Sequence, residues 1–463
     1  MSHVDPLLLS REHPELSAKV PVEVSQRQFM LIVCLVITAA AAWRPWETAK
    51  VFIAGATAFY VVITFYKLWL VYLSGHEHAE LKISDEEIAA LDDDSLPVYS
   101  IMVPLYREPE VVPHLIAGLV RMDYPADKKN VQLLLEEDDD LTRSAVEKMD
   151  LPPGFEVTLI PESFPRTKPK ACNIGLEYAT GEYLVIYDAE DRPEPDQLKK
   201  AVIGFRRVVP QVICLQSRLN FYNPRQNLLT RWFTSEYSSA FDLQLPGLAS
   251  LDSVIPLGGT SNHFITSRLR ELLGWDAYNV TEDCDLGVRI YRRGYKSRML
   301  QTTTWEEACS RIRFWIPQRT RWIKGYIQTY LVHMRDPRRL YHELGLANFL
   351  HFQILIGGMV IAVLINPVFW SLAMLWFMAR SDALASLFPG PVFAAGAVCL
   401  FAGNFVFTYV GAVGSYNRKY YDIVKYSLLA PIYWIFMSYS AWRALLQFFS
   451  DPFRWEKTQH GLD

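Results

Sequence analysis

The chain has 463 residues, is 51% hydrophobic and 21% charged, and carries a formal net charge of −4. That length holds one ordinary domain plus membrane segments, and the acidic balance excludes the basic surface expected of a nucleic-acid-binding protein. The six cysteines, Cys34, Cys172, Cys214, Cys284, Cys309 and Cys399, form no CxxC pair and no His/Cys cluster, which argues against a zinc site or a disulfide framework.

Apolar residues gather at the two ends and charge gathers in the middle. The opening stretch is polar and carries acids, unlike a cleaved signal peptide. Two apolar runs follow, Phe29 to Trp43 and Val51 to Leu73, joined by a loop from Arg44 to Lys50. A bilayer crossing takes about 20 apolar residues, so the pair reads as a membrane hairpin. Residues 76–97 are acidic and polar, as in a linker.

From residue 98 the pattern changes. Strand-like runs at Val98–Tyr106, Val131–Glu137, Glu156–Glu162, Tyr183–Glu190 and Cys214–Phe221 alternate with helical segments such as Pro109–Met122 and Lys170–Ala179. Runs such as VQLLL and YLVIY are continuously apolar, as in strands covered on both faces, so the expected architecture is a parallel, doubly wound α/β sheet. Ligands of such sheets bind at the carboxyl ends of the strands. Two amphipathic segments come next. Leu229–Leu245 carries apolar residues at Leu229, Trp232, Phe233, Tyr237, Ala240 and Phe241. Arg311–Met334 carries them at Ile323, Tyr326, Ile327, Tyr330, Leu331 and Met334, together with five basic residues between Arg311 and Lys324. This spacing fits helices at a membrane interface, or alternatively two core helices of the α/β domain.

The last third is apolar again. Leu346–Ala379 is too long for one simple span and contains Asn366-Pro367, a turn or kink signal; Pro391–Val413 and Tyr426–Phe449 are further expected spans. If two N-terminal spans leave the α/β domain in the cytosol, an even number afterwards returns the tail there. That parity favours a break at Asn366-Pro367 and six spans in all. The resulting division is a polar segment and hairpin (1–75), a linker (76–97), the α/β domain (98–310), an interface helix segment (311–345), C-terminal membrane helices (346–450) and a cytosolic tail (451–463). The expected location is a bacterial-type inner membrane, multi-pass, with the α/β domain on the cytosolic side.

Four motifs carry candidate chemistry. Glu136-Glu137-Asp138-Asp139-Asp140 follows strand VQLLL, where carboxylates can accept hydrogen bonds from a nucleobase or ribose, or simply form a solvated charge run. Asp188, Glu190 and Asp191 end strand YLVIY. Hard oxygen ligands there suit Mg²⁺ or Mn²⁺ shared with a diphosphate, and an acidic helix cap is the plainer reading. Thr281-Glu282-Asp283 opens a helix and is preceded by Gly259 and Thr260, which we assign to the acceptor side. Inversion at a sugar carbon needs a base beside the acceptor hydroxyl, and Asp283 is the candidate, with Thr281 suited to an N-cap. Gln318, Arg321 and Trp322 share one helical face, placing a guanidinium for phosphate next to an aromatic plate for a sugar ring; the alternative is a basic interfacial helix with an aromatic anchor. Lys168-Pro169-Lys170, with Asn173, enters a helix. Its lysines, Lys170 foremost, are either contacts to the donor or surface charge.

In this order the set LLLEEDDD, DAED, TED and QRTRW resembles the processive family 2 glycosyltransferases, the group of cellulose, chitin and hyaluronan synthases. The resemblance covers residues 98–335 and the membrane layout. It implies a GT-A-like cytosolic domain with a mostly parallel sheet, a transmembrane helix bundle and amphipathic interface helices. It makes Glu137 and Asp138 nucleotide contacts, and Asp188 with Glu190 or Asp191 the metal and diphosphate group. Asp283 becomes the base, and Gln318, Arg321 and Trp322 the face for diphosphate and acceptor. The tail FRWEKTQHG is similar to the family's gating loop, with Trp455 and Thr458 closing the site. The implied partners are a UDP-sugar donor, UDP-glucose foremost, a growing polysaccharide, membrane lipid and an export partner protein. The implied activity is inverting, processive synthesis of a β-linked glucan. The competing readings are a transferase of one sugar to a lipid carrier and an inactive membrane scaffold.

Overall fold

The computed structural model describes residues 5–76, 78–380, 382–388, 390–398 and 403–454; Trp455 and Thr458 lie outside them. Its centre is an eight-stranded sheet of order β3-β2-β1-β4-β7-β6-β8-β5. The strands are β1 (Tyr99–Leu105), β2 (Lys129–Glu136), β3 (Phe155–Ile160), β4 (Tyr183–Ile186), β5 (Arg192–Pro193), β6 (Val212–Phe221), β7 (Asn262–Ile265) and β8 (Lys296–Glu306). The five strand-like runs of the sequence are β1, β2, β3, β4 and β6. The sheet is nonetheless mixed. The four strands from β3 to β4 run parallel, and β6 runs parallel to β8, but β7 enters antiparallel to both of its neighbours and β5 antiparallel to β8. β7 has four residues and β8 reads KSRMLQTTTWE, so neither shows the continuous apolar signature of a covered strand.

Alternating residues of β1 divide the core. Ile101, Val103 and Leu105 join Leu115, Leu119, Leu198 and Val202 on one face. Met102 on the other face joins a larger cluster that runs through Phe233, Tyr237 and Trp315 to Phe352, Ile356 and Tyr433. The sheet and the apolar helices therefore share one continuous core.

Three helical stretches among the described residues are long and apolar enough to cross a membrane: Val24–Trp43, Pro45–Ser74 and Pro337–Ala379. Val24–Trp43 buries none of its residues, and Phe29, Leu31, Ile32, Leu35 and Val36 are all exposed. An apolar surface of that extent has a favourable environment in lipid and not in water. The loop expected from Arg44 to Lys50 contracts to Arg44 alone, because Pro45 starts the next helix in its first turn, where its missing N–H costs nothing.

The break expected at Asn366-Pro367 does not occur. Helix Met359–Ala379 runs through Pro367, and the Tyr60 hydroxyl of the hairpin donates to the Ala362 carbonyl at 3.1 Å just before it. Neighbouring helices commonly satisfy the backbone groups a proline disturbs in such segments. The deviation lies earlier, at Gly345 (φ 72°) and in a π-helical turn over Gln353–Gly358. Beyond it, Gly390–Val398, Asn404–Asn417 and Ala430–Ser450 are helical.

The two amphipathic segments become the helix Leu228–Ser239, continued through a π turn into Leu245–Ser250, and the helix Ile312–His333. They lie between the sheet and the apolar helices. Gly247 sits so close to the hairpin that a Cβ there would fall 2.2 Å from the Leu70 carbonyl oxygen. Ile323 and Ile327 pack with Ala441, Ala444 and Phe448. The basic residues Arg319 and Lys324, expected on the polar side of an interface helix, are buried.

Candidate active site

The carboxyl end of β4 is where the chain leaves the sheet, so Asp188, Glu190 and Asp191 fall in the turn that follows Tyr187. Asp191 folds back: its Oδ2 accepts the Asp188 backbone N–H at 2.8 Å and the Thr260 hydroxyl. Its Oδ1 is buried and has no protein partner. Burial, reinforced by Asp188 and Glu190, pushes the Asp191 carboxyl well above the usual range. Glu306, at the end of β8, is pushed up in the same way, by burial and then by Asp191, Glu190 and Asp188. Sequence reasoning passed over Glu306 because the hydrophilic β8 gave no strand signal.

A lysine meets this group directly. Lys168, first residue of the helix Lys168–Tyr178, sets its Nζ against Asp188 Oδ1 and donates to the Gly259 carbonyl at 2.7 Å. Burial alone would lower this amine, but Asp188 and Glu282 hold it protonated above its ordinary range. Lys170, the lysine assigned to the donor from sequence, is fully buried and points elsewhere. Its Nζ donates to the Pro161 carbonyl at 3.1 Å and approaches Glu136 Oε2 at 3.4 Å, tying β2 to the loop after β3.

The TED motif reaches the same place from the other side. Thr281 precedes the helix Glu282–Arg292, and a Cβ on Gly259 would stand 3.3 Å from Asp283 Oδ2. Thr281 does not cap the helix with its side chain. It is fixed instead by the helix that bears QRTRW. Gln328 Oε1 accepts the Val280 N–H at 3.1 Å, Thr329 Oγ1 accepts from Asn279 Nδ2 at 3.0 Å, and Arg321 donates to the Val280 carbonyl at 3.4 Å. Gly325 makes the approach feasible, since a Cβ there would lie 2.2 Å from Thr281 Oγ1. Below, His333 of the same helix donates from Nε2 to Asp285 at 3.0 Å while its Nδ1 accepts from Arg292 at 2.9 Å, which fixes a neutral ring. Burial raises the Asp283 carboxyl, and burial with Asp283 as neighbour raises Glu282 to about 7.

Trp322 is half-buried beside Phe233 and Tyr237, with the Arg319 guanidinium 4.5 Å from its ring centre. Arg319 in turn makes a two-pronged pair with Glu236, at 2.8 and 2.6 Å. Gln318 is buried, and its Oε1 has no protein partner. Asp188, Asp191, Thr260, Gly259, Asp283 and Arg321 thus converge. Arg321 lies within electrostatic reach of Glu282, Asp283 and Asp188.

Glu137 and Asp138 stand apart at the end of β2. Both are exposed, Asp138 pairs with Arg166 at 3.0 Å, and the neighbouring Asp139 caps the following helix through the Thr142 N–H at 3.2 Å. Among the described residues no three Asp, Glu, His or Cys side chains converge as a ready-made metal cage. The fit to a divalent ion rests on the crowded, under-neutralised carboxylates and the orphaned Asp191 oxygen. Such a group suits an ion that takes its remaining ligands from a diphosphate.

The residues seen here have relatives. The family profile described as glycosyl transferase family 2 matches residues 100–261, and that described as glycosyl transferase family group 2 matches residues 183–388. The probable glycosyltransferase YdaM of Bacillus subtilis is 26% identical over 233 residues, covering 50% of this chain and 55% of its own length. The probable glucomannan 4-beta-mannosyltransferase 10 of Arabidopsis thaliana is 26% identical over 257 residues, 52% of this chain and 45% of that protein. The chain thus spans about half the length of the curated relatives it matches. Among solved structures, the mannosyltransferase PcManGT of Pyrobaculum calidifontis, in complex with GDP-Man and Mn²⁺, superposes with a TM-score of 0.52 at 21% identity, over 88% of this chain and 99% of that one. That likeness supports the GT-A-like fold.

Proposed function

Because the chain belongs to the family 2 glycosyltransferases, we propose that it transfers a sugar, with inversion, from a nucleotide-diphosphate donor to a hydroxyl acceptor at a membrane. The observation that carries the reading is the meeting of Asp188 and Asp283 around Gly259 and Lys168, with Arg321 at hand. Asp283 is the base. It takes the proton of the acceptor hydroxyl as that oxygen bonds to the anomeric carbon, while the bond from that carbon to the diphosphate oxygen breaks. A carboxylate raised above its ordinary range is the better proton acceptor once ionised. Arg321 and Lys168 face the negative charge that builds on the leaving diphosphate. Asp188 with Asp191 or Glu190 would hold Mg²⁺ or Mn²⁺, which supplies further neutralisation of the diphosphate. Trp322 and Gln318 border the acceptor side, where an aromatic plate and an unsatisfied amide oxygen suit a sugar ring and its hydroxyls.

The order of motifs supports a processive synthase that elongates a β-linked glucan from UDP-glucose and passes it through its own apolar helices, with the α/β domain on the cytosolic face of a bacterial-type inner membrane. A second reading is favoured by the relatives named for β-mannosyl transfer and by PcManGT bound to GDP-Man: the donor is GDP-mannose and the product a β-mannan or glucomannan. Membranes bearing the protein, supplied with labelled UDP-glucose, UDP-GlcNAc and GDP-mannose and then digested with linkage-specific glycosidases, decide between them. A product of many sugars supports the synthase; a single sugar on lipid refutes processivity; release of neither UDP nor GDP from any donor refutes the transferase.

A further inference from the structure

Lys168 stands where a cation is wanted. Its Nζ bridges Asp188 Oδ1 and the Gly259 carbonyl, and its side chain is 15% exposed. Lys168 opens a helix whose preceding residue, Thr167, is anchored by its hydroxyl to the Ala277 carbonyl at 2.8 Å, which fixes the base of the lysine side chain and leaves its ammonium free to change partner. Asp188, Glu282, Asp283 and Glu306 are within its electrostatic reach, and Arg321 is within reach of Asp188, Glu282 and Asp283. The Lys168 ammonium and the Arg321 guanidinium are outnumbered by these acids, and nearby Asp191, only 5% exposed, leaves its Oδ1 without a protein partner among the described residues.

We infer that the Lys168 ammonium is a built-in counter-cation that keeps free divalent metal off Asp188 and gives up its place only to metal that arrives with a nucleotide diphosphate. A bare divalent ion approaching Asp188 meets a fixed positive charge a few ångströms away, with no new anion to offset the repulsion. A metal carrying a diphosphate brings oxygens that accept the ammonium, so Lys168 exchanges Asp188 for phosphate and its charge becomes attractive. The sequence of events is therefore imposed by electrostatics: the donor and its metal enter together, and the carboxylates near Asp283 are not locked by metal between turnovers. In the loaded state Lys168 thus contacts the donor diphosphate itself. This inference rests on the transferase reading of the same site.

The test is Mn²⁺ binding by full-length protein in nanodiscs, followed through the electron paramagnetic resonance of free Mn²⁺, alone and with saturating UDP or GDP. Wild-type protein binds Mn²⁺ at least about a hundredfold more tightly with the fitting nucleotide than without it. Lys168→Gln binds Mn²⁺ alone about tenfold more tightly than wild type, whereas Lys168→Arg, which keeps the charge, does not. A structural defect would weaken metal binding and not strengthen it, so the direction separates the two. Equal affinity of folded Lys168→Gln and wild type for Mn²⁺ alone overturns the inference. Should Lys168→Gln not fold, the wild-type titration decides by itself: Mn²⁺ bound as tightly without nucleotide as with it overturns the inference. Wild-type protein that binds neither UDP nor GDP with Mn²⁺ removes the transferase reading, and this inference with it, a result separable from a failure of Lys168 alone.

Discussion

Two acidic clusters end parallel strands of the same sheet, β2 and β4, with β1 between them, and their surroundings differ. Glu136 to Asp140, after β2, are mostly at the surface. Asp138 is paired to Arg166, Asp139 is spent on a helix cap, and Glu136 approaches the buried Lys170. Asp188 to Asp191, after β4, face inward, with Glu306 added from β8, the Lys168 ammonium in direct contact with Asp188 and the Asp191 Oδ1 without a protein partner among the described residues. The sequence motifs look alike. Burial and the scarcity of counter-charge make the second cluster a place where a cation and a phosphate are stabilised, while solvent screens the first.

That contrast can be broken most severely at the base. Asp283→Asn should lower turnover by about a hundredfold to ten-thousandfold while far-ultraviolet circular dichroism and membrane insertion stay as in wild type, because general-base catalysis contributes on that order. Turnover like wild type would take Asp283 out of the role.

Next comes the frame that delivers Asp283. Arg319→Ala strips a guanidinium from Trp322 and leaves Glu236, a third exposed and still bonded by the Tyr433 hydroxyl, without its cation, so stability should fall by about 1–3 kcal/mol, measured by denaturant or thermal unfolding. Gly325→Ala forces Thr281 aside. We expect a loss of about 1–3 kcal/mol together with reduced turnover, the two effects coming from one displaced loop.

A gentler probe is pH. Glu282 rises from an ordinary 4.5 to about 7 in the fold, so the folded state favours its neutral form. A group raised in this way contributes stability at low pH that is lost as the pH climbs from its unfolded value to its folded one. The metal-free protein should therefore lose melting temperature between pH 4.5 and about 7, and Glu282→Gln should flatten that slope. An unchanged slope in the variant would mean that Glu282 is already ionised in the fold.

The smallest effect belongs to the outer cluster. Asp138→Asn removes an exposed ion pair worth at most about 1 kcal/mol, so melting should scarcely move. If Asp138 touches the nucleotide, KM for the donor rises with kcat unchanged; if both stay put, the cluster is a solvated run.

Legibility followed signal strength. The apolar runs announced five strands, and of the four ordered motifs DAED, TED and QRTRW come together while LLLEEDDD stands apart. Lys168 was visible within Lys168-Pro169-Lys170, yet nothing in that run says which lysine meets Asp188 and which meets Glu136; helix direction decides it. Gly325, in the middle of a helical pattern, was a readable sign of close approach, but its partner Thr281 was not. The break expected at Asn366-Pro367 rests on a local rule, and the helix Met359–Ala379 runs through it, with Tyr60 of the hairpin packed and bonded alongside at Ala362 and Asn366.

By itself the sequence determined the existence of the α/β sheet, the apolar ends and the identity of the acids, because hydrophobic period and residue chemistry are local properties of the chain. Only the tertiary structure decided that β7 runs antiparallel, that Arg319 and Lys324 point inward, and that Glu306 and Lys168 stand among Asp188, Asp191 and Asp283. Those outcomes depend on which distant surfaces bury one another and on how few counter-charges remain inside, and neither is encoded at any single position.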